Sequence, residues 1–575
     1  MPRLHLPHLI QDRQYLRDGG DILLATPIQT FSATDDGLFR DGPVHPRLAV
    51  VDLDADTRTL RPPTRFRPQA IGKTVSAYDL GGVQLDADSA VDDFENDDFL
   101  RLNPFATVLK TLHFFEGAEI LGRPVRWAFP SEQLLIVPRA GEMRNAFYDR
   151  GTGSLQFFHH LGAGGFTVYT ALSHDIIVHE TAHAILDGLA PDLYHATDPQ
   201  SLALHEALAD LAAISQTLVN EMIVFSLDAI SSTTVDPFEA LSRLAEEFGT
   251  DARLAEGARH VQGASFLRRL KNDRTLDPAD DTTDDFGRPN RTDPADPHAL
   301  SQVLSGAVYT VFEMRMRKTE RKGDFLSGLQ AVFCPAARRV ARIVFRALDY
   351  LPPGEANFLD YGRAFHAAAA ATYARPQLEQ RALADAFVRR GIAGSHADLA
   401  QPAPPDLGLD RPLIDALLTG PAALREFAEK HRAALGIPGG ADFEALDPVT
   451  AHRSLRSNPG AKREEEFIFR FRWTETETID PGLGLPKTWA AVRGTTLVVN
   501  AGGKILSTLM TSGNGGSGRA ALLRRWAGEG RLRLEADAIG PDGQPLEDVV
   551  ILKLADGVAQ AAGGGKTLHL ARGFE

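Results

Sequence analysis

The residues most able to do chemistry in this chain are His179-Glu180-Thr181-Ala182-His183. On a helix, residues four apart share one face, one turn apart, so both imidazoles can reach a single cation. Glu180 lies beside them, within reach of a water on that cation. Zinc brings the pKa of such a water down to about 7, where a neighbouring carboxylate can take its proton. The spacing alone is weak: with 18 histidines in 575 residues, chance produces it in roughly one chain in 30.

The flanking sequence adds weight. Ile176, Ile177 and Val178 form the apolar run that a buried metal helix needs. A catalytic zinc takes a third protein ligand. The segment LALHEALADLAA (202–213) carries Glu206 and Asp210 four apart on an apolar helix, where unpaired carboxylates are costly. Glu206 suits the third ligand. Asp210 suits a second role, accepting the other ring N–H of a ligand histidine and fixing its tautomer.

With these residues in place the chain resembles the thermolysin-like zinc metallopeptidases, whose third ligand is a glutamate. The family's Asn-Glu-Ala-x-x-Asp segment is matched by His205-Glu206-Ala207-Leu208-Ala209-Asp210, with His205 in place of Asn. The resemblance implies one catalytic Zn2+ held by His179, His183 and Glu206, with Glu180 as general base. It implies that Tyr194, eleven residues past His183, donates to an oxyanion. It makes Asn145-Ala146-Phe147-Tyr148 the substrate-binding edge, pairing with an extended peptide through backbone hydrogen bonds. It assigns His298, in DPHALSQVLSGAVYTVF (296–312), to stabilising the tetrahedral intermediate. Arg268 or Arg269 is the candidate for gripping substrate. The match spans about 100 to 350. Of the family's calcium-binding acids only Asp175 aligns, so Ca2+ is left open.

The elements that must position these residues read as α+β. We expect a thermolysin-like catalytic unit, with a β-rich N-terminal lobe, a helical C-terminal lobe and the HExxH helix between them. A C-terminal all-β domain follows. The expected divisions are an N-terminal strand and loop region (1–100), the β-rich lobe with the zinc helix (101–190), the helical lobe (191–440) and a sandwich-like accessory domain (450–575). Strands are expected at 48–54, 73–80, 125–129, 133–138 and 145–149. Helices are expected at 101–122, 202–225, 299–318, 325–350, 356–390 and 412–435. Another is expected from Asp236, as N-cap with Pro237 and a Glu239 capping box, to Gly249. Segments 271–297 and 394–411 read as loops, the first solvated. Phe467, Phe469, Phe471 and Trp473 alternate as β core should. His159, His160, His174 and His205 read as packing or surface residues.

The net charge of −15 argues against nucleic acid as a partner. A single cysteine, Cys334, excludes an internal disulfide and leans towards a reducing compartment. No apolar run reaches the length of a signal core or the roughly 18 residues of a membrane span, so a cytoplasmic location is the expectation, with signal-independent export as the alternative. The expected function is a zinc metalloendopeptidase acting on protein or peptide substrates. Two others stay open: a binding protein on a peptidase fold, and a narrowly targeted intracellular protease gated through its C-terminal domain, where a regulatory partner would act.

Overall fold

A computed structural model describes residues 3–10, 28–34, 38–54, 57–67, 78–80, 91–224, 236–244, 268–284, 287–320, 328–454, 463–513, 517–538, 546 and 549–562. The chain is mixed α+β with a C-terminal sheet region. An N-terminal antiparallel pair, β1 (Arg3–Leu9) and β2 (Ile28–Thr34), is followed by β3 (Val44–His45) and β4 (Leu48–Val50). Helix α1 (Asp97–Glu116) starts where the Asn96 side chain accepts the amides of Asp98 and Phe99, an N-cap with two acids behind it. It ends at Gly117 rather than near 122. Strands β5 (Leu134–Val137), β6 (Ala146–Asp149) and β7 (Ser154–Phe157) join β3 and β4 in one sheet, in the order β3-β4-β5-β7-β6. The strand β6 is therefore an edge.

Helix α2 (His174–Leu189) carries the motif. All its residues except Asp175 and Gly188 are buried. The reason is its place between two cores. Val178, Ala182, Ile185 and Leu186 face the helical core. Ile176, Ile177 and Ala184 face the N-terminal sheet and α1. Gly188 permits the closest approach: a Cβ there would stand 1.9 Å from the Arg126 carbonyl oxygen. The short α3 (Pro191–His195) leads to α4 (Pro199–Leu218), capped by Asp198 and begun by Pro199. Helix α5 (Pro297–Glu320) packs along α4, and α6 (Gly328–Tyr350), α7 (Phe358–Thr372) and α8 (Gln377–Arg389) complete the helical core.

Several expectations are corrected. Residues 125–129 form no strand. Their polar groups are taken instead by side chains and loops: the Val125 amide donates to Glu116, Arg47 to the Val125 carbonyl, and the Trp127 indole to the Glu132 carbonyl. The helix expected over 236–249 is a single turn, Pro237–Ala240. Asp236 does cap it, accepting the Phe238 amide, but Glu239 pairs with Arg269 rather than with the cap. Arg243–Leu244 then pairs antiparallel with Arg268–Arg269, so tertiary strand pairing overrides local helix preference. Residues 245–249 lie outside the described set, as do 73–77. The run 356–390 is two helices, and 412–435 is likewise two: α9 (Arg411–Leu417) and α10 (Pro421–Lys430), broken at Gly420-Pro421.

The C-terminal region is neither all β nor a sandwich. Among the described residues, β8 (Phe443–Ala445), β9 (Val449–Ser454), β10 (Arg463–Thr478), β11 (Thr488–Asn500), β12 (Ile505–Met510), β13 (Leu532–Leu534), β14 (Val550–Ala555) and β15 (Val558–Ala562) form one sheet. Helix α11 (Ser517–Gly528) packs beside it. Period-two alternation divides β10 between two cores. Phe467, Phe469, Phe471 and Trp473 pack with α9 and α10. Ile468 on the opposite face joins the core of α6 and α7. Each buried phenylalanine contributes roughly 1.5–3 kcal/mol. A buried ionic seam ties the sheet to α6: Arg453 bridges Asp349 and Glu466, Arg346 binds Glu466, and Arg123 binds Asp349. Among the described residues no helix is long and apolar enough to cross a membrane.

Candidate metal centre

Helices α2 and α4 bring four of the expected residues together. His179 Nε2 and His183 Nε2 converge to 2.9 Å. Glu206 reaches them from α4, with Oε2 3.7 Å from His179 Nε2 and Oε1 3.5 Å from His183 Nε2. Asp210, one turn on, stands 3.0 Å from His179 Nδ1. Glu180 belongs to the same cluster, its carboxylate lying with both imidazoles inside a 4.8 Å radius of mutual separation.

The network admits a metal-binding pair of tautomers. With Nδ1–H donating to Asp210, His179 presents its Nε2 lone pair. His183 Nδ1 lies 2.7 Å from His205 Nδ1, the two rings nearly parallel at 5°. With that Nδ1–H donating, His183 also presents an Nε2 lone pair. In those tautomers two lone pairs and a carboxylate meet at one buried point, where a cation would fit; without one, an Nε2–H of one ring can donate to the other across the same 2.9 Å. Two imidazole nitrogens and a carboxylate are a donor set suited to catalytic zinc, which keeps one position open. His179, Glu180 and His183 could hold such an ion; Glu206 also lies within 3.7 Å of both Nε2 atoms, while Glu180 Oε2 accepts the Tyr148 amide at 3.0 Å.

That last bond locates the expected substrate edge. Residues 146–148 lie on strand β6, which ends its sheet among the described residues, against the motif helix. Because Tyr148 points its amide away from β7, Ala146, two residues back, presents its backbone on the same outer side. Asn145 is buried, and its Oδ1 accepts the Ala146 amide. The Tyr148 hydroxyl and Arg150 both bind Asp187, which fastens β6 to α2.

His298 opens α5, its amide accepted by Asp296, and its Nε2 stands 3.8 Å from Glu206 Oε2. Tyr194 is placed differently. Its ring packs between Tyr148 and His205 under the Arg150 guanidinium. Burial, then the charge of Asp187, pushes its hydroxyl well above the ordinary phenol value, so it stays protonated. The charges of Asp187, Asp149 and Arg150 act on it. Asp175 pairs with the neighbouring His174. Arg269 is engaged by Glu239 on the strand pair.

Two positions escaped the sequence reading. His205 was set aside as a packing residue, yet it bonds the second motif histidine directly. Asp187 was not singled out. Its signal was present, an acid four residues past His183 on an apolar helix, the same pattern that pointed to Asp210. No family model matches this chain, and no curated protein matches it.

Proposed function

We propose that this protein is a zinc-dependent metalloendopeptidase of the thermolysin-like kind. One observation carries the reading: His179, His183 and Glu206 converge with Glu180 beside them, and Glu180 is bonded to the amide of a strand that ends its sheet among the described residues. Zinc, held by the first three, would polarise a scissile carbonyl and acidify a water. The chain supplies the rest. The outer carbonyls of β6 would align an extended peptide, the Ala146 and Tyr148 amides being held by Asn145 and Glu180. Glu180 takes the proton of the attacking water and delivers it to the leaving amine. His298, 3.8 Å from Glu206 Oε2, donates to the developing oxyanion, a contribution of about 3 kcal/mol for such a donor. Tyr194 supports the wall behind His205, and an oxyanion role for it would need its hydroxyl to turn from Arg150. Asp210 and His205 hold the two imidazoles in the tautomers a metal requires.

The test is metal analysis together with hydrolysis of an unfolded protein by wild type and Glu180→Gln. One tightly held zinc in both proteins, with cleavage by wild type alone, is the expected result. A zinc-loaded wild type that leaves every peptide intact would overturn the reading.

A further inference from the structure

Away from the metal centre, a cavity of about 880 Å3 opens in the seam between the C-terminal sheet and α3. Its walls include Asp192 and His195, on the link between the two ligand-bearing helices. Arg472 in the same wall binds both Asp192 and Glu444, and Arg470 donates to the carbonyl of Leu189 at the end of the motif helix. The cavity is therefore wired to the segment that spaces His183 from Glu206.

Its chemistry points to one class of occupant. Helix α10 begins at the cavity with Pro421 and Ala422, and its N-cap, Gly420, offers no side chain to the first-turn amides. Such an end favours a carboxylate. Arg519, 3% exposed, reaches the wall; its guanidinium pairs with Glu355 and Glu477 and donates to the Ala490 carbonyl, and its Nε has no acceptor. Arg425 and Asp442 form an exposed ion pair on the rim, as do Arg472 and Glu444. Three arginines and four carboxylates line the space: Arg425, Arg472 and Arg519 against Asp192, Glu355, Asp442 and Glu444. A ligand of one sign would meet repulsion from the opposite set. A ligand bearing both signs can exchange partners with the rim pairs and leave no charge alone. Strand β8, which forms one margin of the cavity, ends the sheet path among the described residues, and its Phe443 carbonyl accepts Arg425.

We propose that this cavity binds a peptide segment carrying both a carboxylate and a cationic side chain. Its carboxylate sits at the start of α10 beside Arg425, and its cation sits against Asp442 and Glu444. Resting on the peptidase reading above, the cavity is an exosite that holds part of a polypeptide substrate outside the metal centre.

The experiment uses the full chain as Glu180→Gln, titrated with fluorescein-labelled decapeptides containing Lys and Glu, Glu alone, or only Gly and Ser. The mixed-charge peptide should bind. Adding Arg425→Glu, or Ala422→Trp to fill the space, should weaken it at least tenfold, with unchanged thermal midpoints and zinc content. In the Glu180-intact protein, Arg425→Glu should leave kcat/KM for a short neutral peptide unchanged and lower it for long charged ones. Equal binding of all three peptides, or undiminished binding by both variants, overturns the proposal. A wild type that binds the mixed-charge peptide but cleaves nothing refutes the peptidase reading and leaves the site standing. Cleavage without such binding does the reverse.

Discussion

The amide of Tyr148 donates to the carboxylate of Glu180 across 3.0 Å, joining strand β6 to the motif helix. The group that would accept the water's proton is thus held by the strand that would align the substrate. Shortening the side chain breaks this link. Glu180→Asp should lower kcat by roughly 10²–10⁴, the range for a displaced general base, with zinc content unchanged. Steady-state kinetics beside metal analysis checks it, and an aspartate variant at wild-type rate would show that the link is dispensable.

His205 holds His183 through the 2.7 Å contact between their Nδ1 atoms. Removing it frees the tautomer and the ring orientation. His205→Ala should weaken zinc binding by roughly 10–100-fold. His205→Asn, which keeps a polar partner, should recover most of that loss. Competition with a chromogenic chelator reads the affinity directly, without reference to turnover.

Gly188 sits where a Cβ would stand 1.9 Å from the Arg126 carbonyl oxygen. Backbone cannot give way as a flexible side chain can. Gly188→Ala should cost about 1–3 kcal/mol, as overpacking does, and the urea midpoint measures it. Unchanged stability would mean that the 125–127 segment moves freely off the helix.

The seam at Asp349 sets an acid limit. Burial works to raise this carboxyl from its ordinary 3.8, yet the charges of Arg123 and Arg453 outweigh it and hold it at about 2. A depressed carboxyl stabilises above the unfolded value and loses that stabilisation as pH falls through the folded one. The difference between 3.8 and about 2 corresponds to roughly 2 kcal/mol. The urea midpoint should therefore be steady above pH 4 for this group and fall between pH 4 and 2. Asp349→Asn should start lower and flatten that part of the decline.

The sequence by itself determined which side chains meet at the candidate centre, because they lie on two continuous helices. His179 and His183 are one turn apart whatever surrounds them, and so are Glu206 and Asp210. An apolar helix with buried acids leaves those acids few roles. The alternation of Phe467, Phe469 and Phe471 was legible for the same reason, since strand period needs no tertiary knowledge. What only the tertiary structure decided lies where one segment meets another. Whether Val125–Phe129 forms a strand depended on the side chains that took its polar groups. The helix begun at Asp236 was cut short by a strand pairing whose partner lies more than twenty residues away. His205 gained its role only when α4 placed its ring beside His183. The placement of Tyr194 was set by packing against Tyr148 and Arg150, which no offset from a histidine encodes. The β10 strand divides its two faces between separate cores, which merges the C-terminal region with the helices. Local periodicity speaks for one element at a time, and burial is settled between elements.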